Sequence, residues 1–323
     1  MEQPTWSRAR KYIGGGVPVN VAKLKQKGFG IVELMVGLLI GAILVVLVTD
    51  MFNANKAVQN RIMSQSRLQE NARFAYMFLS SEIHKVGYRL NAEDIPQYAF
   101  RGYDFKLIEG WNGDDDSADV FARHDTTTIS VHGTDVNLAN VADDSDVLML
   151  TRQSDGTSRD CVDNNVVINP GADPADQIPA VGWLVLSIYY VAVSDATTSS
   201  KGSFSRFALH CKPVYLDYAR GEVNTSGTIK RNAAQLVEDV TNLQVLLAQD
   251  TDGSGVPNSY ITPSATMGVS NGVDVVAVDI KLTVKGGRTL DLLESAGATT
   301  LSKSEQSLSL TLGGAVAYRN QAP

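Results

Sequence analysis

A single stretch constrains this chain before any residue is counted. From Lys27 to Thr49 it reads KGFGIVELMVGLLIGAILVVLVT. Three lysines (Lys23, Lys25, Lys27) lead to Gly28 and Phe29, and no charged residue occurs from Leu34 to Thr49. With Ile31 and Val32 the run is long enough to cross a bilayer core as a helix, which takes roughly 20 residues. Basic residues ahead of such a run mark its cytoplasmic side. A secretory signal peptide would carry a small-residue cleavage site after the apolar run, and the residues there, DMFNANKAVQN, contain no A-x-A pattern. Neither an ordinary anchor nor an ordinary signal peptide accounts for Glu33, the one acid inside the run. A carboxylate in that layer is costly unless it is paired or protonated.

The simplest partner is an α-amino group in the same apolar layer. Cleavage after Gly28 would create one on Phe29, one helical turn from Glu33 and equally within reach of a neighbouring copy. K-G-F-x-x-x-E followed by an apolar helix resembles the class III signal of type IV pilins and type II secretion pseudopilins. The resemblance implies that a prepilin peptidase cuts after Gly28 and that the new terminal Phe29 is N-methylated. It also implies that Glu33 pairs with a neighbouring subunit's terminus during assembly. Gly30 departs from the threonine or serine often found second after the cut.

At 323 residues the chain can bury a sizeable core. Of its net charge of −7, residues 1–28 hold six Lys/Arg against Glu2; the remainder, with 22 basic and 34 acidic residues, is near −12. Such an acidic balance leaves no electrostatic footprint for nucleic acid. The two cysteines, Cys161 and Cys211, sit in no CxxC pattern. In a domain exported across a bacterial inner membrane they are free to oxidise, so a structural disulfide is expected, with two buried free thiols as the alternative. Closing a loop of about fifty residues would be worth about 4 kcal/mol in the chain-entropy picture.

Past the apolar run, Val58, Ile62, Gln65, Gln69, Ala72, Tyr76, Leu79, Ile83 and Val86 fall at spacings of three and four, which traces one helical stripe. Arg61, Arg67, Glu70, Arg73, Glu82 and Lys85 lie mostly off it. No proline occurs between Phe29 and Tyr88, and Gly87 marks a stop. The pattern predicts one helix of about sixty residues, roughly 90 Å at the α-helical rise, with no kink at Asp50.

Residues 91–119 read as loop, with Asp114, Asp115, Asp116 and Asp119 a solvated acidic cluster rather than a metal site. Strands are expected at 127–132, 146–151, 165–168, 182–193, 203–214, 243–249, 273–284 and 307–318, and a short helix at 233–240. Gly313 and Gly314 suggest a bulge or bend in the last strand. The run VGWLVLSIYYVAV, with Trp183, Tyr189 and Tyr190, reads as a core strand, with a subunit interface or lipid-facing strand as the alternative, and is too short for a second membrane helix. One long helix followed by many strands is an α+β arrangement, pilin-like, with a mostly antiparallel sheet packed on the helix.

FAYMFLSSEIHKVGY on the helix, SDVLMLTR, FALHCK, LVEDVTNLQVLLAQDTDGSG, VVAVDIKLTV and the terminal AYRNQ follow one another along the chain. In that order these patches resemble the PilW group of minor pilins. The resemblance implies a precursor that spans the inner membrane once, leader in the cytoplasm and head in the periplasm, and then enters the pilus. Its implied parts are the leader 1–28, an assembly half-helix 29–49, an amphipathic half-helix 50–90 and an acidic head 91–323. Implied partners are the prepilin peptidase, the assembly platform, the major pilin and other minor pilins, with a tip adhesin a further candidate. Twitching motility and adhesion are the implied outputs. A J-type pseudopilin of type II secretion and a pilin-anchored surface binding module are the alternatives.

Asp250-Thr251-Asp252-Gly253-Ser254-Gly255 resembles the first half of a calcium loop, with Asn258 where a ninth ligand would sit. Ile261 replaces the bidentate glutamate at the twelfth position, so a hairpin turn is the favoured reading and weak calcium binding at Asp250, Asp252, Ser254 and Asn258 the other. Calcium is the one cofactor candidate. His84, His124, His132 and His210 form no HExxH pattern, and no GxSxG or P-loop occurs; the chain reads as a structural subunit, not an enzyme.

Overall fold

The computed structural model describes residues 30–88, 90, 108–109, 120–124, 127–131, 134–199, 202–219, 222–254, 256–262, 274–285 and 309–317. The chain divides into two units, Met1–Asn55 and Lys56–Pro323. Helix α1, Ile31–Ile83, is continuous through Asp50 and is acidic in its first turn at Glu33. In the first unit every described residue is exposed, the apolar side chains from Leu34 to Phe52 included.

In the second unit α1 buries Leu68, Ala72, Ala75, Leu79, Ile83 and, just past its end, Val86. The stripe therefore starts later than the spacing predicts: Val58 and Ile62 are exposed, as are Gln65 and Gln69. Periodicity defines a face of a helix, not what covers it. Glu82, expected off the stripe, is buried at 8% exposure. Gly87 ends the element as its spacing predicts, with φ of +72°, a conformation that favours glycine. Its N–H donates to the Thr151 carbonyl (3.1 Å), and Gln153 N–H donates to the Tyr88 carbonyl (2.9 Å). The chain leaving the helix is thus stitched to a strand.

Thirteen strands are described. The first six are β1 (Ile108–Glu109), β2 (Val120–His124), β3 (Thr128–Val131), β4 (Thr134–Asn137), β5 (Asp146–Gln153) and β6 (Leu184–Ser199). The others are β7 (Gly202–Ala219), β8 (Glu222–Lys230), β9 (Ala234–Glu238), β10 (Val240–Asp250), β11 (Ser259–Ile261), β12 (Asp274–Lys285) and β13 (Ser309–Ala317). They form a three-stranded sheet β1-β3-β4, a four-stranded sheet β11-β10-β12-β13 and a larger sheet β2-β5-β6-β7-β8 with β9 also on β7. All the pairings within these sheets are antiparallel. One long helix with mostly antiparallel sheets is the α+β, pilin-like arrangement expected.

The register explains the apolar run of β5. Leu148 pairs with Tyr189 and Tyr189 with Cys211, and this row shares a core with Leu79 and Ile83 of α1. The residues between, Val147, Met149, Ile188 and Tyr190, join a second core with Ile129 and Val136 of the three-stranded sheet. β5 is covered on both faces, so it shows no polar alternation. The four-stranded sheet adds Leu243, Val245, Val278, Ile280 and Leu282 to the helix-side core.

Side chains join β5 to β10. Leu243 N–H donates to Ser145 Oγ (3.1 Å), and Val245 N–H to Asp146 Oδ2 (2.7 Å). Both polar residues are buried, and each satisfies an amide that the β-ladder leaves open.

Three further expectations fail. Residues 234–238 are strand β9, paired with β7, and not a helix; its alternating burial shows that a neighbouring strand's open edge overrode local propensity. Residues 165–168 make only isolated bridges, Arg159 with Asn165 and Val167 with Pro179. Gly313 and Gly314 form no bulge, because β13 keeps its register with β12 through both. They permit close approach instead: a Cβ on Gly313 would lie 2.8 Å from the Ile280 carbonyl oxygen, and one on Gly314 2.7 Å from Tyr76 Oη.

Candidate functional site

Gly28, Phe29 and the acidic residues Asp114, Asp115, Asp116 and Asp119 lie outside the described residues. Glu33 is in the first turn of α1, where the helix dipole favours a negative side chain. Gly30 opens that turn, its carbonyl accepting from Glu33 N–H (3.0 Å) and Leu34 N–H (3.2 Å). Downstream no further charge occurs before Asp50. Among the described residues α1 is the one helix long and apolar enough to cross a membrane. Chemically, this end of α1 is an apolar surface with one carboxylate, suited to meeting a single cation.

In the second unit Cys161 and Cys211 form the expected disulfide, with Cα atoms 6.3 Å apart. Cys211 lies in the middle of β7, fully buried, and Cys161 lies in a loop shaped by its neighbour. Asp160 Oδ1 accepts from the amides of Val162 (2.9 Å) and Asn164 (2.8 Å), and Oδ2 from Tyr215 Oη (2.6 Å). Burial first, then this bond to Asp160, pushes the Tyr215 hydroxyl far above its usual range. Asp163 takes a left-handed φ of +63° inside the loop, and its side chain pairs with Arg159 (3.0 Å).

Glu82 is the second polar anchor. Its Oε1 receives Lys85 Nζ (2.5 Å) and its Oε2 receives Tyr189 Oη (3.1 Å). Tyr189 is wholly buried, so burial, reinforced by the Glu82 charge, drives its hydroxyl well above the usual tyrosine range. Arg152, at the end of β5, is 8% exposed. Its Nη2 donates to the Arg159 carbonyl, while Nε is buried without an acceptor. No pattern in the sequence marked Glu82 or Arg152. The one available signal is that TR continues the fully apolar VLML of a strand with no polar face.

The Asp250 segment closes the hairpin between β10 and β11, where Gln249 pairs with Ser259. Asp250 Oδ1 accepts from the amides of Asp252 and Ser254 (both 3.2 Å), and Asn258 Oδ1 from Thr251 N (3.0 Å) and Oγ1 (2.9 Å). The Asp252 carboxyl is held down at about 2, first of all by its bond with the Ser254 side chain. These oxygens accept from the loop's own donors. Among the described residues no cluster of three His, Cys, Asp or Glu could hold a metal. His210 lies in β7 against Tyr190, ring centroids 5.7 Å apart; His84 falls in the turn after α1 and His124 in β2, while His132 lies outside the described residues.

Two family models match the chain. Residues 23–49 match the prokaryotic N-terminal methylation motif, a stretch that contains Gly28, Phe29 and Glu33. Residues 188–319 match the type IV pilus-assembly protein W model, PilW, from the first third of β6 through β13. No curated protein and no solved structure matches the chain. The class III prepilin signal and the apolar helix after it fit a precursor anchored in the inner membrane and then incorporated into the pilus. With the methylation signal at one end and PilW-like strands at the other, the chain is similar to the PilW family of type IV pilus-assembly proteins.

Proposed function

We propose that this chain is a minor pilin that acts in the complex that primes pilus assembly near the filament tip, and so supports twitching motility and adhesion. A prepilin peptidase cuts after Gly28, Phe29 is N-methylated, and the major pilin and other minor pilins pack against α1. The observation that carries this reading is the exposed apolar surface of α1 between Ile31 and Phe52, broken by the single carboxylate of Glu33 before Asp50. An apolar layer of that kind is stable in lipid or against other such helices, and an isolated carboxylate within it seeks a cation. A neighbour's terminal amine supplies one and sets the register of the subunits at the same time.

Deletion of the gene tests the role, with surface pili, twitching and secretion measured together. Loss of pili with intact secretion is the expected result; intact pili with failed secretion would move the chain to a secretion pseudopilus. Glu33→Ala tests the mechanism: cleavage should proceed normally while incorporation into sheared pili falls about ten-fold or more, the scale of one lost charge pair. Wild-type amounts of Glu33→Ala in sheared pili would remove the pairing step.

A further inference from the structure

Beside the disulfide, within the second unit, an open cavity of about 580 Å³ lies between α1, the 158–163 loop and the start of β9. Its acids are already committed. Glu82 is held by Lys85 and Tyr189, Asp163 by Arg159, and Asp160 by Tyr215 and two backbone amides. Its most buried cation is not. Arg152, 8% exposed, spends one Nη2 hydrogen on a carbonyl, its Nε has no acceptor, and it makes no ion pair among the described residues. A guanidinium left this way in a poorly solvated wall is costly, and its planar fork of N–H donors matches a carboxylate two bonds at a time.

The same cavity has an apolar wall in Phe74 and Phe78. The two rings stack with centroids 6.3 Å apart, yet Phe74 remains 55% exposed. An acceptor that enters beside Phe74 would gain apolar contact as well as charge. The chain beyond residue 28 is near −12, so an uncommitted buried cation is an exception on it and selects an acidic partner.

We propose that this cavity is a docking socket for one Asp or Glu side chain, carried beside an apolar residue on a neighbouring pilin-type subunit. The proposal rests on the reading of this chain as a filament subunit. The carboxylate takes the free N–H donors of Arg152, and its apolar neighbour covers Phe74. Because the guanidinium is buried, the contact keeps its strength in salt, unlike a rim ion pair.

The test places a photo-crosslinking amino acid at Phe74 of the full-length chain in piliated cells. Crosslinks are read in the membrane and in sheared pili, with the attachment site mapped by mass spectrometry. A crosslink to another pilin-type subunit next to an Asp or Glu is expected. Arg152→Met should lower its yield about ten-fold or more, the scale for truncating one partner of a buried charge pair, and so should changing the partner's acid to its amide. The amide change leaves this chain intact, so misfolding of Arg152→Met cannot account for its effect. No crosslink to a pilin, a site without an acid beside it, or a yield indifferent to the amide change would overturn the proposal. A chain absent from pili but crosslinked in the membrane would overturn the filament-subunit reading and leave the socket standing. A chain present in pili without the crosslink would overturn the socket alone.

Discussion

At Glu82 a carboxylate sits on a helix face otherwise built from Leu79, Ile83 and Val86, and it is retained there by Tyr189 and Lys85. Tyr189→Phe keeps the ring and its edge-on contact with Phe78 (6.2 Å between centroids) and removes only the donor. Leaving a buried charge short of a hydrogen bond costs about 1–3 kcal/mol, so the urea midpoint should fall accordingly, and an unchanged midpoint would mean that Lys85 alone satisfies the carboxylate. His210 carries a pH dependence. Burial holds its pKa below the ordinary histidine value, and more strongly than the Ala208 carbonyl, 3.0 Å from Nδ1, raises it. The unfolded imidazole therefore binds a proton first as pH falls, and the slope of stability against pH is positive in that window. Stability is fully present above about pH 6.5 and declines as pH drops through the lower folded pKa. Thermal melts from neutral to mildly acidic pH should show that decline in the wild type and a shallower one in His210→Gln; parallel curves would assign the whole decline to other groups.

Elements with a strong internal pattern were readable from the sequence, and those defined by a distant neighbour were not. Helix α1, the runs that became β5, β6, β7 and β10, and the alternating β12 and β13 announce themselves by length and period. β9 does not, because LVED also suits a helix and only the edge of β7 makes it a strand. The buried stripe on α1 begins later than its spacing for the same reason: Val58 and Ile62 have the spacing of Leu79 and Ile83 but are exposed. Gly313 and Gly314 stand out in the sequence, but as points of close approach and not as a bulge. Both sit where a methyl group has no room, but what crowds them differs, backbone at Gly313 and a phenol oxygen at Gly314. A backbone carbonyl in a β-ladder cannot retreat, whereas the tip of Tyr76 can turn. Alanine in place of glycine also gains about 0.4–1 kcal/mol through the unfolded chain when the site accepts it. Gly313→Ala should therefore destabilise by about 1–3 kcal/mol, the range for forced overpacking, and Gly314→Ala should cost less. Chemical denaturation of the two variants side by side checks the order, and the reverse order would show that Tyr76 is the fixed partner.

For the molecule as a whole, the disulfide was legible because the arithmetic of two cysteines in an exported chain leaves one pairing, whereas the cavity around it was not. That cavity draws on α1, the end of β5, the loop after it and β9, and no spacing rule relates residues so far apart in sequence. The bond links Cys161 to Cys211 across fifty positions and encloses the whole of β6. Covalent closure of such a loop removes about 4 kcal/mol of freedom from the unfolded chain, against a total stability of about 5–15 kcal/mol for a typical domain. Both cysteines belong to the helix-side core, Cys211 wholly buried and Cys161 4% exposed beside the open cavity, so serine carries the larger desolvation cost at Cys211. Reducing the wild type should shift the urea midpoint by the amount seen in Cys161→Ser. Reductant should leave that variant unchanged, and Cys211→Ser should fall further than either. The double variant should match Cys211→Ser alone, since the second substitution removes no further bond. If reduction moves the wild-type midpoint by less than about 1 kcal/mol, the two cores and the Asp160 loop already hold those chains together, and the bond restrains an unfolded state that is itself compact.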